Sequence, residues 1–295
     1  MKIIGLAALA LLYSLLPATE FVRFPFKSKI VFNSDFSGNH EIYLLSENRL
    51  TRLTNHPAKD EYPVANHSGD KIVFHSDRNG NCDIFILDLK TGKTSQVTAD
   101  PRNECTPSWS FDDSSIFYNL ETAKNSWTSL KIDLKSKKTE PLFPDPPFSS
   151  TIVPFQNRRG DDFFFTGKVF LGWVVAKYET AGRIYSRLAE TGSCRPRISS
   201  DDRKIAYVSH RDDHIGDIFI MNADGSDKTN LTPGRVNFYD YYPCFSPDGL
   251  WIVFSSSPRP LGKNAYQLYT IELKTGKIRK VFSSSGNNVF PYWFH

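Results

Sequence analysis

The 295-residue sequence lacks the short motifs that mark common active sites. It has neither the Gly-x-Ser-x-Gly motif of a nucleophilic serine, nor the Gly-x-x-x-x-Gly-Lys of a phosphate-binding loop, nor a His-Glu-x-x-His zinc motif. Only four cysteines occur, and no Cys-x-x-Cys pair is among them, so neither a thioredoxin-like redox centre nor a zinc-binding pair is indicated. We therefore predict no catalytic residue, no metal site and no cofactor.

The sequence also has little excess charge of either sign. The formal net charge is +4, and charged residues make up 23% of the chain, which is an ordinary composition for a soluble surface. The densest basic runs, Lys135–Lys138 and Lys277–Lys280, fall at or near predicted hairpins. Solvated outer strands account for such runs better than a nucleic-acid interface does, so we predict no nucleic-acid partner.

What the sequence does contain is a repeated β-strand motif. In its best copy, Tyr242–Ser255, a proline, an aromatic residue, a serine and an Asp-Gly turn precede a short apolar run. The aromatic residue near the end of this run recurs along the chain, at Phe32, Phe74, Tyr118, Phe165, Tyr207 and Phe254. Successive copies are therefore about 42–47 residues apart, which is close to the length of one four-stranded propeller blade.

The two ends of the repeated region complement each other. The first copy starts with the strand Lys29–Phe32 and has no proline-containing strand before it, whereas the chain finishes on a proline-containing strand. If this C-terminal strand, residues 291–294, joins the first blade, no strand edge is left open within the ring. The sequence therefore predicts an all-β fold: a six-bladed β-propeller of four-stranded antiparallel blades, closed by the C-terminal strand.

The repeats resemble those of the TolB-type (WD40-like) β-propeller family. The Pro-aromatic-Ser-Pro-Asp-Gly element, the apolar strand after it, the later Asp-Ile-Phe and the closing Leu-Thr carry this resemblance, which covers roughly Lys29 to His295. The unit from Thr151 to Leu188 matches poorly. The resemblance implies one propeller domain over residues 19–295. TolB itself has an α/β domain before its propeller, for which this chain has no room.

The N-terminus is predicted to be a secretory signal peptide, residues 1–18. Met1-Lys2 is followed by an apolar run from Ile3 to Leu16 and then by small residues near Ala18. The run is short for a membrane-spanning helix, although an uncleaved tether is an alternative. We expect a periplasmic or secreted protein, monomeric and without a transmembrane span once the signal is removed.

Cysteines of an exported protein often form disulfides. Cys82 ends the loop between the second and third strands of its repeat, and Cys105 precedes the proline of the next repeat. In a propeller these two loop classes emerge on the same face, so a Cys82–Cys105 disulfide is geometrically reasonable. A Cys194–Cys244 pairing fits less well, because Cys244 lies inside an innermost strand.

The repeat frame also places several charged residues at equivalent positions. Asp83 and Asp217 open equivalent third strands, and Arg78 and Arg211 lie in the loops before them. In TolB-like blades such residues are expected to pair across the loop or with the next blade, which is a structural role. His210 and His214 also stand close together, but a solvated loop is a better interpretation than a metal site.

Partner recognition is predicted on the face that carries the loops before each innermost strand. Tyrosine and arginine are enriched in interface hot spots, and loops on a rigid scaffold concentrate binding residues. The predicted contact residues are Arg102, Glu104, Arg235, Phe238, Tyr239, Asp240 and Tyr241. Packing between blades is the alternative role for these aromatic residues.

The sequence thus favours an exported, non-catalytic, TolB-like propeller that binds a protein or peptide partner in the cell envelope. The alternative is a saccharide-binding or polysaccharide-degrading propeller, a lyase or hydrolase that uses the central tunnel. An enzyme of that kind should bring two or more histidines or carboxylates together at the tunnel mouth.

Overall fold

The fold consists of six four-stranded antiparallel sheets arranged as blades. The computed structural model describes residues 28–47, 49–211, 215–260 and 266–295. Every regular element within these ranges is a β-strand, and no helix there is long and apolar enough to cross a membrane. The predicted signal segment lies outside the described residues. The predicted all-β, six-bladed architecture is confirmed.

The strands follow one another from the inner to the outer edge of each blade. In chain order they are β1 Lys29–Ser34, β2 Glu41–Ser46, β3 Arg49–Arg52, β4 Asp60–Ala65, β5 Lys71–Ser76, β6 Asp83–Asp88, β7 Thr94–Gln96, β8 Glu104–Trp109, β9 Ser115–Ala123, β10 Ser126–Asp133, β11 Thr139–Pro141, β12 Ser150–Gln156, β13 Asp162–Val169, β14 Gly172–Glu179, β15 Ile184–Arg187, β16 Ser193–Ile198, β17 Lys204–Ser209, β18 Asp217–Asn222, β19 Thr229–Asn230, β20 Phe238–Phe245, β21 Trp251–Pro258, β22 Gln267–Glu272, β23 Ile278–Phe282 and β24 Asn288–Phe294. Blades 2 to 6 each take four consecutive strands from β4 onward, and blade 1 takes β24 followed by β1 to β3.

The ring is closed by the C-terminal strand, as predicted. β24 pairs antiparallel with β1, and Trp293 lies opposite Ile30. The strand starts at Asn288, three residues before the predicted start at residue 291. Trp293 is 4% exposed and belongs to the apolar cluster that joins blade 1 to blade 6. Closure therefore buries apolar surface and also pairs the backbone N–H and C=O groups along the edge of β1.

Every innermost strand carries a β-bulge at its proline. The residue before each proline has a positive φ, between 51° and 59°, at Tyr62, Thr106, Val153, Arg195, Tyr242 and Phe290. The strand register shifts there in all six blades, so two residues oppose one. Proline, which has no N–H, is tolerated at such a bulge, but a left-handed residue before proline is unfavourable and must be held by its surroundings.

A hydrogen bond to the neighbouring blade holds the residue before the proline in this conformation. The backbone N–H of Val153 in blade 4 donates to Oδ1 of Asn119 in blade 3, at 2.9 Å. The equivalent bond from Arg195 to Oγ1 of Thr166 is 2.8 Å. Tyr62 and Thr106 donate in the same way to Asn33 Oδ1 and His75 Nδ1, both at 3.3 Å. Four of the six bulges are therefore capped by the blade before them.

The repeated aromatic residue of each second strand lies opposite the bulge. Phe32, Phe74, Tyr118, Phe165, Tyr207 and Phe254 are each at most 2% exposed. Their burial fills the space that the bulge opens between adjacent sheets, so the sequence period reports the packing between blades. The poorly matching unit, Thr151–Leu188, nevertheless forms a regular four-stranded blade with β12 to β15.

Replacing Asn119 with alanine should destabilise the ring. Asn119 is 1% exposed; it caps Val153, and its amide group donates to Ser129 Oγ and to the carbonyl of Thr151. The variant leaves buried polar groups without partners, so we expect the free energy of unfolding to fall by about 3 kcal/mol in urea melts. The exposed Asn237→Ala is the control, and equal stability of the two variants would contradict the capping role.

Candidate functional site

The candidate site is the mouth of the central tunnel on the loop face. We define the loop face as the side that carries the loops before each innermost strand and the loops between second and third strands. The opposite side, formed by the turns between first and second strands, is the hairpin face. Because the six bulges lie in the innermost strands, their side chains are the groups that surround the tunnel axis.

Side chains from several blades meet near the tunnel axis. The Phe290 ring lies 4.8 Å from that of Tyr62 and 4.2 Å from that of Tyr242, measured between centroids. Arg197 of blade 5 reaches across the axis and donates from its guanidinium to the hydroxyl of Tyr62 in blade 2, at 3.0 Å. It also stacks on the Phe155 ring, at 3.5 Å. A ligand on the loop face therefore meets a floor of aromatic and arginine side chains.

One half of the mouth is aromatic and basic. The Arg195 guanidinium lies 4.8 Å from the Tyr242 ring centroid and 5.6 Å from that of Tyr241. The Tyr241 hydroxyl is 2.7 Å from Nε2 of His210, and Tyr266 makes an edge contact with its ring. Burial raises the pKa of Tyr241 to about 12, so this phenol stays neutral at physiological pH, and its hydroxyl donates to the carbonyl of Ile215 at 3.1 Å.

A glycine makes room for this arrangement. Gly216, at the start of the third strand of blade 5, has a φ of +101°. A Cβ atom built there would lie 2.9 Å from the Tyr241 ring, closer than real atoms pack. The backbone carbonyl of Gly216 also accepts the amide of Asp240 at 3.0 Å. The close approach of blade 5 to blade 6 therefore depends on the missing side chain.

The other half of the mouth is acidic and rich in histidine. The Glu61 carboxylate lies between His40 Nδ1, at 3.2 Å, and His75 Nε2, at 3.6 Å. Burial alone would raise the pKa of Glu61, but the hydrogen bond from His75 and the charges of His75, His40 and Lys59 outweigh it and lower the pKa. Glu61 is therefore ionised at neutral pH and about one quarter of its side chain, 28%, is exposed.

Cys82 and Cys105 lie next to this acidic half. They are present as free thiols whose sulfur atoms lie within 4.8 Å of each other and of an imidazole nitrogen of His75. The hydrogen bond between the two thiols raises the pKa of Cys82 and lowers that of Cys105. The structure thus brings the predicted pair together across blades 2 and 3, and the disulfide between them stays a prediction.

The predicted contact residues of blade 6 have mixed roles. Asp240 is fully buried, and it accepts a hydrogen bond from Nε of Arg235 at 2.9 Å. Arg235 also stacks on Phe238, at 4.2 Å, and bonds Ser256. Asp240 therefore cannot touch a partner, and its role is to hold Arg235. Tyr239, which stacks against Arg259, and Tyr241 remain partly exposed at the mouth.

The two predicted contact residues of blade 3 lie on the other side of the ring from blade 6. Arg102 is exposed and forms a pair with Asp100, 2.8 Å apart, whereas Glu104 is 3% exposed and accepts the amide of Asp100. Burial raises the pKa of Glu104. The sequence grouped these residues with those of blade 6 because they share a loop class, but two blades lie between them in either direction around the ring.

The residues predicted to be structural fix strands and loops. Asp83 accepts hydrogen bonds from Asn81 and Gln96, and Asp217 accepts them from Asn230 and Thr232, so each carboxylate joins the third strand to the fourth. Arg78 pairs with the buried Asp60 of its own blade at 2.9 Å rather than with Asp83. Arg211 is exposed, and its amide donates to Ser209. His214 lies outside the described residues.

Sequence reasoning missed the residues nearest the axis. Arg195, Tyr62 and Phe290 were not predicted as contacts, nor were Glu61 and His75. The available signal was the residue before each proline, since this position lies in the bulge of the innermost strand in all six blades. Glu61 and Cys105 both precede that position by one residue, and this shared place in the repeat is what brings them to the mouth.

Comparison with known proteins agrees with this fold. The family described as TolB beta propeller domain matches residues 22–145. The crystal structure of TolB from Acinetobacter baumannii has a TM-score of 0.78 and 19% identity, over 90% of this chain and 66% of that one. An uncharacterised Agrobacterium fabrum protein is 29% identical over 94 residues, which is 32% of this chain and 30% of that protein. The chain therefore spans less than two thirds of these relatives.

A more distant similarity involves an enzyme. The oligogalacturonate lyase from Vibrio parahaemolyticus has a TM-score of 0.54 and 15% identity, over 86% of this chain and 73% of that one. At this level of identity the likeness concerns the fold alone.

The buried ion pair of Arg235 and the exposed ion pair of Arg102 should contribute differently to stability. Arg235→Ala leaves the fully buried Asp240 carboxylate without its cation, so the free energy of unfolding should fall by about 3–5 kcal/mol. Arg102→Ala breaks a solvent-exposed pair and should cause no measurable change. Urea unfolding of both variants tests this prediction. If Arg235→Ala is as stable as the wild type, the pair with Asp240 does not stabilise the fold, and Arg235 is available to contact a partner.

Proposed function

We propose that this six-bladed β-propeller, whose residues 22–145 match the TolB beta propeller domain, is an exported, non-catalytic interaction module that binds a protein or peptide partner on its loop face. The observation that carries this proposal is the arginine stacked on tyrosines at the mouth, Arg195 with Tyr241 and Tyr242. Such rigid aromatic and arginine anchors on a fixed scaffold are typical of binding hot spots.

The chemistry of this half favours a ligand that carries a carboxylate. Within the described ranges, no carboxylate lies within 4.0 Å of the Arg195 guanidinium, which donates to the weak acceptor Cys194 Sγ at 3.2 Å and also bonds the side chain of Tyr242. A guanidinium held flat against two rings keeps donors available for an acidic side chain or a chain terminus. Neutral tyrosine hydroxyls beside it can add hydrogen bonds.

The predicted signal peptide and the TolB-type fold support a place in the cell envelope. We infer that the mature propeller is periplasmic or secreted and acts as a monomer.

Capture of the partner should depend on the tyrosines of the mouth. We expect Tyr239→Ala combined with Tyr241→Ala to reduce cross-linked capture of an envelope protein at least tenfold, because two partly exposed aromatic anchors are removed. Phe111→Ala combined with Leu250→Ala is the matched control, since both residues are exposed apolar side chains of the hairpin face. An unchanged set of captured proteins in the tyrosine variant would refute the choice of face.

A saccharide-degrading enzyme is the second candidate function. Its support is the convergence of His40, Glu61 and His75, since two histidines around a carboxylate meet the criterion for a tuned site at the mouth. An enzyme would turn over an acidic polysaccharide such as oligogalacturonate, and Glu61→Gln would abolish the reaction. If the protein is an interaction module, the wild-type protein releases no unsaturated or reducing products from the polysaccharide. Turnover that is lost in Glu61→Gln would replace the interaction function with the enzymatic one.

A further inference from the structure

Three side chains from two blades form a compact group of metal-binding atoms. His75 lies near the end of β5, Cys82 precedes β6, and Cys105 is the second residue of β8 in the next blade. One imidazole nitrogen and the two sulfur atoms all lie within 4.8 Å of one another. Each of the three residues is only partly exposed, and the His75 side chain is 11% exposed.

This donor set has a narrow chemical preference. Cysteine sulfur and histidine nitrogen together suit zinc and similar soft or borderline ions, whereas Ca²⁺ and Mg²⁺ require oxygen ligands. Ligand atoms on one tetrahedral zinc ion are about 3.5 Å apart, given bonds of roughly 2.0–2.3 Å. The three atoms lie within 4.8 Å of one another and would therefore need to approach by about 1.3 Å at most, which rotation of the side chains can supply.

The surroundings hold the three residues in place. The Cys82 amide donates to Oδ1 of Asn103 at 3.1 Å, and the Cys82 carbonyl accepts the amide of Glu104 at 2.6 Å, so the two cysteine-bearing segments are joined directly. The Thr106 amide donates to His75 Nδ1, so a neutral ring carries its proton on Nε2, which faces Glu61. An ion bound at Nδ1 would replace the Thr106 bond, and an ion bound at Nε2 would require that proton to leave, so metal binding exchanges one contact of His75 for the ion.

We propose that His75, Cys82 and Cys105 bind a zinc-class divalent ion at the seam between blades 2 and 3. Glu61, whose carboxylate lies 3.6 Å from His75 Nε2, is placed to complete the coordination. The site faces the mouth but shares no residue with Arg195 and its tyrosines, so it does not depend on the proposed partner site.

The same two sulfur atoms cannot be a disulfide and bind zinc as thiolates at once. Metal binding requires both thiols to be reduced and deprotonated. The predicted Cys82–Cys105 disulfide is therefore the competing state, and the experiment must distinguish the two.

His75→Asn is the most informative variant. Asparagine occupies the equivalent position at Asn33 and Asn119, where its Oδ1 accepts the bulge amide of the next blade. The variant should therefore keep the cap on Thr106 and the stability of the ring, while it removes the imidazole ligand. Cys194→Ser is the matched control for Cys105→Ser, because Cys194 is the second residue of β16 as Cys105 is of β8.

The test measures zinc in the reduced full-length protein after gel filtration, by elemental analysis. We expect about one zinc per chain in the wild-type and Cys194→Ser proteins, and at least tenfold weaker binding in His75→Asn and Cys105→Ser. Co²⁺ should give thiolate-to-cobalt charge-transfer absorption only in the proteins that bind zinc. Thermal melts check that the variants are folded. Zinc retention by Cys105→Ser equal to that of Cys194→Ser would overturn the proposal.

A second measurement needs no variant. Zinc should protect Cys82 and Cys105 of the wild-type protein from alkylation, with the modified cysteines mapped by mass spectrometry. If zinc leaves the alkylation of both unchanged, or if the thiols reoxidise to a Cys82–Cys105 disulfide equally fast with and without zinc, the metal site is refuted and the disulfide accounts for the pair.

Discussion

The structure depends on one repeated interaction: in four of the six inner strands, a side chain of the preceding blade caps the strained residue before the proline. The residue before proline takes a left-handed conformation that its own sequence disfavours. Its amide has lost its partner in the strand ladder, and Asn33, His75, Asn119 or Thr166 accepts it instead. This bond joins adjacent blades near the axis, where apolar packing alone would not fix the position of one blade relative to the next.

The same constraint builds the mouth of the tunnel. Since each bulge turns one side chain toward the axis, the chemistry of the mouth can vary from blade to blade while the backbone stays the same. Arg195, Tyr242 and Phe290 give an aromatic and basic half, and the residues around Glu61 give an acidic half. His75 serves both purposes, because it caps Thr106 and stands beside Cys82 and Cys105.

The fold could be predicted from the sequence because a large buried aromatic residue recurs once in every blade. The spacing of Phe32, Phe74 and their equivalents fixed the number of blades, and the unmatched strands at the two ends indicated closure through β24. The site could be predicted only in part. Loop composition pointed to Tyr239 and Tyr241, but it could not show that Asp240 is buried or that Arg102 lies across the ring.

The sequence predicted that Cys82 and Cys105 lie close together, but it missed His75 beside them, and the reason is physical. Short metal motifs place their ligands on one turn or helix, whereas His75, Cys82 and Cys105 meet only because two adjacent blades bring three strand ends together. The capping partners of the four capped bulges could not be predicted for the same reason, since each lies 29 to 34 residues earlier in the sequence. Contacts across blades follow from the ring geometry rather than from local patterns.

Hydrogen exchange of the Val153 amide tests this account most directly. The amide lies in a bulge outside the strand ladder, so the Asn119 side chain is what protects it from solvent exchange. We expect Val153 to exchange as slowly as the ladder amides of β13 in the native protein. Exchange as fast as that of an exposed loop amide would contradict the claim that caps between blades hold the inner strands.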